Sequence, residues 1–371
     1  MNNNLYIGLM SGTSVDSVDT VLVELYGDNI KTIGSCSYPI SKEIKQAIFL
    51  AVNASALHDK EIKQLDKTMA TVFVGAVTKI LNQEKIKPSN IIAIGSHGQT
   101  IKHSPRSAKP FSLQVGNPKI IADTTKITTV ADFRSQDIAA GGQGAPLTPI
   151  FHEKVFSKDQ KKKIIVNIGG ITNITSIEPC ALTYGYDTGP GNCLMDCWSR
   201  EHNGNEYDKN GDWAASGTPD KDLLEIMLSD NYFQINYPKS TGPDYFNINW
   251  INMANRKCEK LFQPGDVQAT LLQLTVKTLT KELLKLKLKD DEKIFCCGGG
   301  LHNTFLMNQI ERELNKKVFS TNDLGINPNY LEAISFAWFA KQRMENFRFE
   351  LSRVTGSKGE IFLGKITRPS R

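Results

Sequence analysis

The stretch "GYDTGPGN" holds the residue types best suited to chemistry. Asp187 ends an apolar, strand-like run, and Thr188, Gly189, Pro190, Gly191 and Asn192 then turn the chain toward a helix. A carboxylate at such a corner can project from the end of a sheet and take a proton from an attacking oxygen. The plainer role, capping the helix that follows, is one that Asn192 can fill instead. Near the N-terminus, "YIGLMSGTSVDSVDTVLVEL" sets a turn of Ser11, Gly12, Thr13, Ser14, Val15, Asp16, Ser17, Val18 and Asp19 between two apolar runs. Backbone N–H groups and hydroxyls converging in such a turn bind anions, phosphate above all. An acid beside a phosphate suits a hydrated Mg²⁺ between them. This is not a Walker loop, because no Gly-Lys-Ser/Thr follows.

Three further stretches carry polar or side-chain-free turns. "VNIGGITNIT" places Gly169 and Gly170 between two strand-like runs, flanked by Asn167, Thr172 and Asn173. Paired glycines let a ligand approach the backbone, although Gly-Gly hairpins are common. "CCGGGLHN" puts Gly298, Gly299 and Gly300 after a buried run. They are expected to form a flat surface for a planar ring, with His302 and Asn303 at its rim. The segment between "SHGQT" and "TPIFH" is dense in polar groups, and His97, Gln99, Asp132 and Arg134 are its candidates for gripping a polar ligand. Arg134 could hold a carboxylate in two-pronged fashion or form a plain ion pair. His103 and His152 are expected to be structural.

The elements that must position these turns repeat. "LYIGLM", "TVLVELY" and "IKTIGSCSYPI" read as strands, "SKEIKQAIFLAV" as a helix capped by Ser41, and "EIKQLDKTMATVFVGAVTKILNQEK" as a long helix before the buried strand "IIAIGSHG". The second half follows suit. "KKIIVNIGG", "ITNITSIE" and "LTYGYDTG" are strands, "GNCLMDCWSREH" and "DVQATLLQLTVKTLTKELLK" are helices, and "KIFCCGGG" is a buried strand. Two helices follow, "NTFLMNQIEREL" and "NPNYLEAISFAWFAKQRM". Two α/β halves of like order are the predicted architecture. The closing "SRVTGSKGEIFLGKITRP" reads as a tail strand added to one half.

Bulk properties narrow the function classes. The 371 residues suffice for two domains, and 40% hydrophobic with 22% charged residues is ordinary globular composition. No apolar run is long enough to span a bilayer, and "MNNNLYIG" has no signal-peptide pattern. The net charge of +5 comes from scattered lysines, so neither a nucleic-acid nor a membrane partner is expected. Seven cysteines show no paired framework and no zinc spacing, and the adjacent Cys296 and Cys297 read as buried thiols. A reducing cytoplasm is the expected location.

Taken together, "GLMSGTSVDSVD", "GSHGQT", "LQVGNP", "DFRSQDIAAGGQGAPL", "NIGGITN", "YDTGPGN", "STGPDYFN", "CGGGLHN" and "NPNYLEAISFAWFA" resemble the anhydro-N-acetylmuramic acid kinase family over essentially the whole chain. The resemblance implies a two-lobed actin-like ATPase with a ribonuclease H-like repeat in each lobe, and ATP and substrate in the interlobe cleft. The expected lobes are residues 1–130 plus 345–371, and 131–344. The implied reaction consumes ATP with Mg²⁺, opens the 1,6-anhydro ring of 1,6-anhydro-N-acetylmuramic acid with water and phosphorylates O6. The product is N-acetylmuramic acid 6-phosphate, in the recycling of peptidoglycan.

By the same resemblance, Asp187 is the base. The residues from Gly12 to Asp19, with Asn167, Gly169, Gly170 and Gly298 to Gly300, bind ATP. The resemblance further implies that His97, Arg134 and Asp187, with Glu332, contact the sugar, while Gln99 and Asp132 are sugar-binding candidates from the polar segment alone. Individual Mg²⁺ ligands are not assigned, and a homodimer follows from the family alone. Ser17 and Pro243 depart from the family pattern, where Gly and Arg are usual. An actin- or Hsp70-like ATPase, another sugar kinase and a nucleotide-free glycosidase are the alternatives. The first would need an added apolar binding domain, and the last a second catalytic carboxylate.

Overall fold

Short β-branched runs form strands where their pattern predicts them, and the order of those strands is the same twice over. The structure, a computed structural model, describes residues 4–27, 29–54, 58–158, 161–178 and 183–370. Leu182, Cys180, and Asp159 with Gln160 of the lysine-rich run lie outside them. Strands β1 (Leu5–Ser11), β2 (Ser17–Tyr26) and β3 (Asn29–Pro39) form an antiparallel meander. β4 (Ile91–Ser96) then joins β1 in parallel. β5 (Gln99–Ser104) and β6 (Phe111–Val115) make a separate hairpin, which the polar sequence there did not announce. β7 (Thr129–Ala131) adds in parallel to β4.

The second set repeats the arrangement. β8 (Lys163–Ile168), β9 (Ile171–Ile177) and β10 (Tyr184–Pro190) are antiparallel neighbours. β11 (Lys293–Cys297) lies parallel to β8, and β12 (Val318–Ser320) parallel to β11. After β13 (Phe349–Glu350) and β14 (Glu360–Ile361), the tail ends in β15 (Lys365–Thr367), which pairs antiparallel with β7. The two main sheets therefore run β3-β2-β1-β4-β7-β15 and β10-β9-β8-β11-β12. Numbered within each set, both have the order 3-2-1-4-5, the repeat that the resemblance implied. The tail strand belongs to the first sheet.

The chain divides into two compact units, one up to Val155 and again from Asn329 onward, the other Phe156–Pro328. The expected borders at 130/131 and 344/345 are displaced. The reason is the helix Leu331–Met344, which packs on β1 and β4. A Cβ on Gly8 would sit 1.8 Å from the Ala333 carbonyl oxygen, and one on Gly95 1.9 Å from that of Phe336. Only glycine lets this helix lie so close to the two central strands. Phe336, Trp338 and Phe339 on the helix join Phe133 and Phe349 in one aromatic cluster. The long helix Asp59–Gln83 buries Met69, Phe73, Val77 and Ile80 in a core with Ile7, Leu9 and Leu22.

The second unit has its own core, in which Val267, Leu271, Leu274 and Leu279 of the helix Pro264–Lys285 pack with Ile164, Val166 and Ile174. Ser41 caps the first helix (Lys42–Asn53) as predicted, its hydroxyl accepting from the Ile44 amide. Among the described residues no helix is long and apolar enough to cross a membrane.

Candidate active site

In the second unit the candidate residues gather where β8 and β11 end. Asn167 on β8 lies opposite Asn173 on β9, and Asn173 opposite Asp187 on β10. Directly opposed residues of antiparallel strands share a face, so these three polar side chains form one row across the sheet. The register shifts between Asp187 and Gly189, which leaves Thr188 as an extra residue. Bulges of this kind aim side chains next to functional sites. Gly189 has φ +155°, and a Cβ there would lie 2.8 Å from the Phe233 ring.

The Asp187 side chain is 5% exposed, but its surroundings are polar. Oδ2 accepts from the Thr241 amide at 3.0 Å, the Asp187 amide donates to the Lys239 carbonyl, and the Tyr232 hydroxyl donates to the Asp187 carbonyl at 2.7 Å. The segment Lys239–Thr241 thus clamps the acid from both ends of the residue. Its own anchor is a lysine that the sequence did not single out. Lys239 is 1% exposed, and its Nζ lies 3.8 Å from Glu282 and 5.0 Å from the centre of the Tyr232 ring. Glu282 also accepts from the Tyr186 hydroxyl and from Lys285. Burial pushes the Lys239 amine down, and Glu282 pulls it back up.

The glycine turns are built differently from expectation. The amides of Gly191, Asn192 and Cys193 donate to the carbonyls of Gly170 and Gly169. They stitch the hairpin to the start of the helix Cys193–His202. Asn192 occupies the N-cap position but makes no side-chain capping bond, its side-chain amide donating to the Ile168 carbonyl instead. Thr275 holds the corner from below by donating to the Pro190 and Gly191 carbonyls. The three consecutive glycines are no open platform. A Cβ on Gly298 would lie 2.4 Å from Asn167 Oδ1, and one on Gly300 2.2 Å from Ile168, whereas Gly299 has only the Asn192 amide nitrogen at 3.8 Å. Asn303 caps the helix Thr304–Leu314 through the Leu306 amide.

In the first unit, the turn after β1 is closed by the Val15 amide donating to the Gly12 carbonyl, with Val15 at φ +55°. Val15 and Val18 are core side chains, so a ligand could meet only their backbone. Asp16 pairs with Lys45, and Asp19 accepts from Ser37 across the β2–β3 ladder. Burial pushes the Asp19 carboxyl up, and hydrogen bonds from Ser37 and Ser17 partly offset this. Gly12, Thr13 and Ser14 are the part of the turn where a phosphate could lie, and a Cβ on Gly12 would meet nothing.

The sugar candidates separate into two groups. His97 is buried, its Nδ1 lies 2.9 Å from the Gly98 carbonyl, and its Nε2 lies 2.8 Å from the Arg134 guanidinium. An imidazole that donates from Nδ1 and accepts at Nε2 is neutral, and burial together with the Arg134 charge pushes its pKa down to about 3. The His97 ring packs on Phe336, 4.7 Å between centres. Glu332 lies four residues earlier on the same helix, hence on the same face. His97 and Arg134 are therefore brought together, and Glu332 stands one helical turn before Phe336.

Gln99 and Asp132 have local roles instead. Gln99 accepts from the Ser11 hydroxyl at 2.6 Å. Asp132 accepts from the Ser135 amide and pairs with Lys365 of the tail strand at 2.7 Å.

A repeated sheet whose strand ends carry glycine turns and one clamped carboxylate makes up a two-unit α/β framework, and its family is shown by comparison with known proteins. The family model "Anhydro-N-acetylmuramic acid kinase" matches residues 4–369. A curated protein of that name from Aliivibrio fischeri is 44% identical over 97% of this chain and 98% of its own length. One from Coxiella burnetii is 42% identical over 99% and 98%. Among solved structures, the (R)-2-hydroxyglutaryl-CoA dehydratase component A of Acidaminococcus fermentans covers 92% of this chain with a TM-score of 0.46 and 8% identity. The chain belongs to the anhydro-N-acetylmuramic acid kinase family, and it is a kinase.

Proposed function

We propose that this kinase uses MgATP and water to convert 1,6-anhydro-N-acetylmuramic acid into N-acetylmuramic acid 6-phosphate and ADP, with Asp187 as the base. The observation that carries the reading is the Asp187 carboxylate at the β10 bulge, held by the Thr241 amide beside the glycine corner. The substrate has no free O6 hydroxyl, so the bridge must open for O6 to be phosphorylated. Asp187 takes a proton from water, and the water oxygen bonds to C1. The C1–O6 bond breaks, and O6 takes the γ-phosphoryl group as its bond to ADP breaks. The proton stays on Asp187 through the step and is released to solvent when the products leave. No acid is needed to protonate O6, unlike in ordinary glycoside hydrolysis, because phosphorus captures that oxygen.

The residues near Gly12–Ser14 and the glycines at 169–170 and 298–300 are proposed for the nucleotide. Gly299 is favoured among the last three by its open Cβ position. For the sugar, Arg134 is proposed to hold the lactyl carboxylate, with His97 orienting its guanidinium and Glu332 beside them. Gln99 and Asp132 are retained only as supports of this group. Among the described residues no three His, Cys, Asp or Glu side chains gather to cage a metal. Mg²⁺ is proposed to enter as part of the nucleotide substrate, held mainly by phosphate oxygens and water, and no step is assigned to it. The cytoplasm, which supplies ATP, is the proposed location.

The test is a product assay in ¹⁸O-water with wild type and Asp187→Asn. Wild type is expected to place the label at C1 and phosphate on O6. Asn cannot accept the proton, so turnover should fall ~10²–10⁴-fold with nucleotide binding kept. Label absent from C1, or near-normal turnover in the variant, refutes the assignment.

A further inference from the structure

The row across β8, β9 and β10 contains a buried side-chain oxygen without a protein hydrogen-bond partner among the described residues. Asn173 is 8% exposed, and among the described residues no protein group hydrogen-bonds to its Oδ1. Leaving a buried amide unpaired costs stability, and Asn is also a poor strand former. Ile171 and Ile174 on the same strand are of the residue type that β9 favours for packing. A buried polar atom kept without a partner in a stable fold calls for a ligand that completes it.

The position of Asn173 says which ligand. It lies directly opposite Asp187 on the same face. Directly opposed Cβ atoms are about 4.5–5.5 Å apart. Two oxygens each about 2.8 Å from one water oxygen stand no more than about 5.5 Å from one another. The amide and the carboxylate can thus grip a single water between them.

We propose that Asn173 is a second catalytic residue of this site: its Oδ1 accepts one hydrogen of the nucleophilic water while Asp187 takes the other. This rests on the reading of Asp187 as the base. With both hydrogens directed at the sheet, the lone pairs of the water oxygen face outward to C1. That oxygen bonds to C1, the C1–O6 bond breaks, O6 receives the phosphoryl group, and the transferred proton resides on Asp187. The hydrogen held by Asn173 stays on the new C1 hydroxyl. Asn167, next in the row, is not part of this proposal.

The experiment compares Asn173→Leu, Asn173→Asp and Asp187→Asn in the full chain, with kcat, the KM for each substrate, the pH profile of kcat and the melting temperature. Leu keeps the size and removes the acceptor. It should lower kcat about 10²-fold, the scale of a misplaced reactant. Both KM values should stay within about twofold, and the melting temperature should not fall, because an unpaired polar group is gone. A merely structural role would lower the melting temperature instead. Asp keeps an acceptor but sets a like charge beside Asp187, so the acidic limb of its kcat profile should move to higher pH. Wild-type kcat in a folded Leu variant, whatever its melting temperature, or an unmoved limb in the Asp variant overturns the proposal. Should the Leu variant fail to fold, the Asp variant decides. An inactive Asp187→Asn beside an active Asn173→Leu removes Asn173 alone, whereas an active Asp187→Asn removes the base itself.

Discussion

Acidification should weaken the first unit through three buried histidines. His97, His103 and His152 are 5%, 7% and 0% exposed, and each has its pKa pushed down to about 3. Burial is the main cause in all three, with the Arg134 charge adding to it at His97 and His103. In the unfolded chain each imidazole titrates near its ordinary value of about 6.5. Below that pH the unfolded state binds more protons than the folded one, so stability rises with pH. The contribution is fully present above about pH 6.5 and is lost progressively as pH falls toward 3. Each unit of pH below 6.5 costs about 1.4 kcal/mol per histidine, hence about 2 kcal/mol each at pH 5.

Asp19 and Asp137 act in the opposite sense. Burial pushes their carboxyls up, so the folded state takes up protons more readily there and the net slope is reduced. His152→Gln isolates one histidine. Denaturant unfolding of wild type and variant at pH 7.5 and pH 5 should show wild type losing about 2 kcal/mol more than the variant. Equal losses would refute the reasoning, as would an NMR titration of the native His152 ring with a midpoint near 6.

Two other substitutions probe what holds the site. Lys239→Met leaves Glu282 with Tyr186 and Lys285 but without its buried partner, and should cost about 3 kcal/mol. It should lower kcat more than either KM, because the segment that clamps Asp187 loses its anchor. Adding Glu282→Gln should restore most of the stability, measured by denaturant unfolding, and non-recovery would mean that the charge pair is not the cause. Gly95→Ala puts a methyl 1.9 Å from the Phe336 carbonyl oxygen on backbone that cannot yield. It should cost about 3 kcal/mol or more, and a melting temperature within a degree of wild type would contradict the close approach.

The repeated strands were legible because period and composition agreed along each run, and Asp187 because it stood where a strand met a glycine turn. The borders of the units were not. The helix Leu331–Met344 is apolar on nearly every side, which announces burial without naming the sheet that buries it. The clue was present in Gly8 and Gly95, isolated glycines within strands, which mark a close backbone approach. Lys239 escaped because a lysine in a loop ordinarily reads as solvated, and its partner Glu282 lies 43 residues further on in a helix of otherwise ordinary pattern. Gln99 and Asp132 looked like ligand groups because residue type cannot reveal that a nearby hydroxyl, amide or amine already engages them. In the hairpin β5–β6 the second strand does alternate, through Phe111, Leu113 and Val115, but its partner holds only Ile101 as an apolar residue, so the pair reads as a polar segment.

The first unit is interrupted in the chain by the whole of the second, and this orders events during synthesis. Once residues up to Pro328 have emerged from the ribosome, the second unit is complete, while the first still lacks the helix on Gly8 and Gly95 and its edge strand β15. The earlier-started half must therefore wait, with its central glycine-bearing strands uncovered, until the last 43 residues emerge. A nascent protein stalled in that interval would expose apolar strand surface to chaperones and proteases, whereas the inserted half would already resist them.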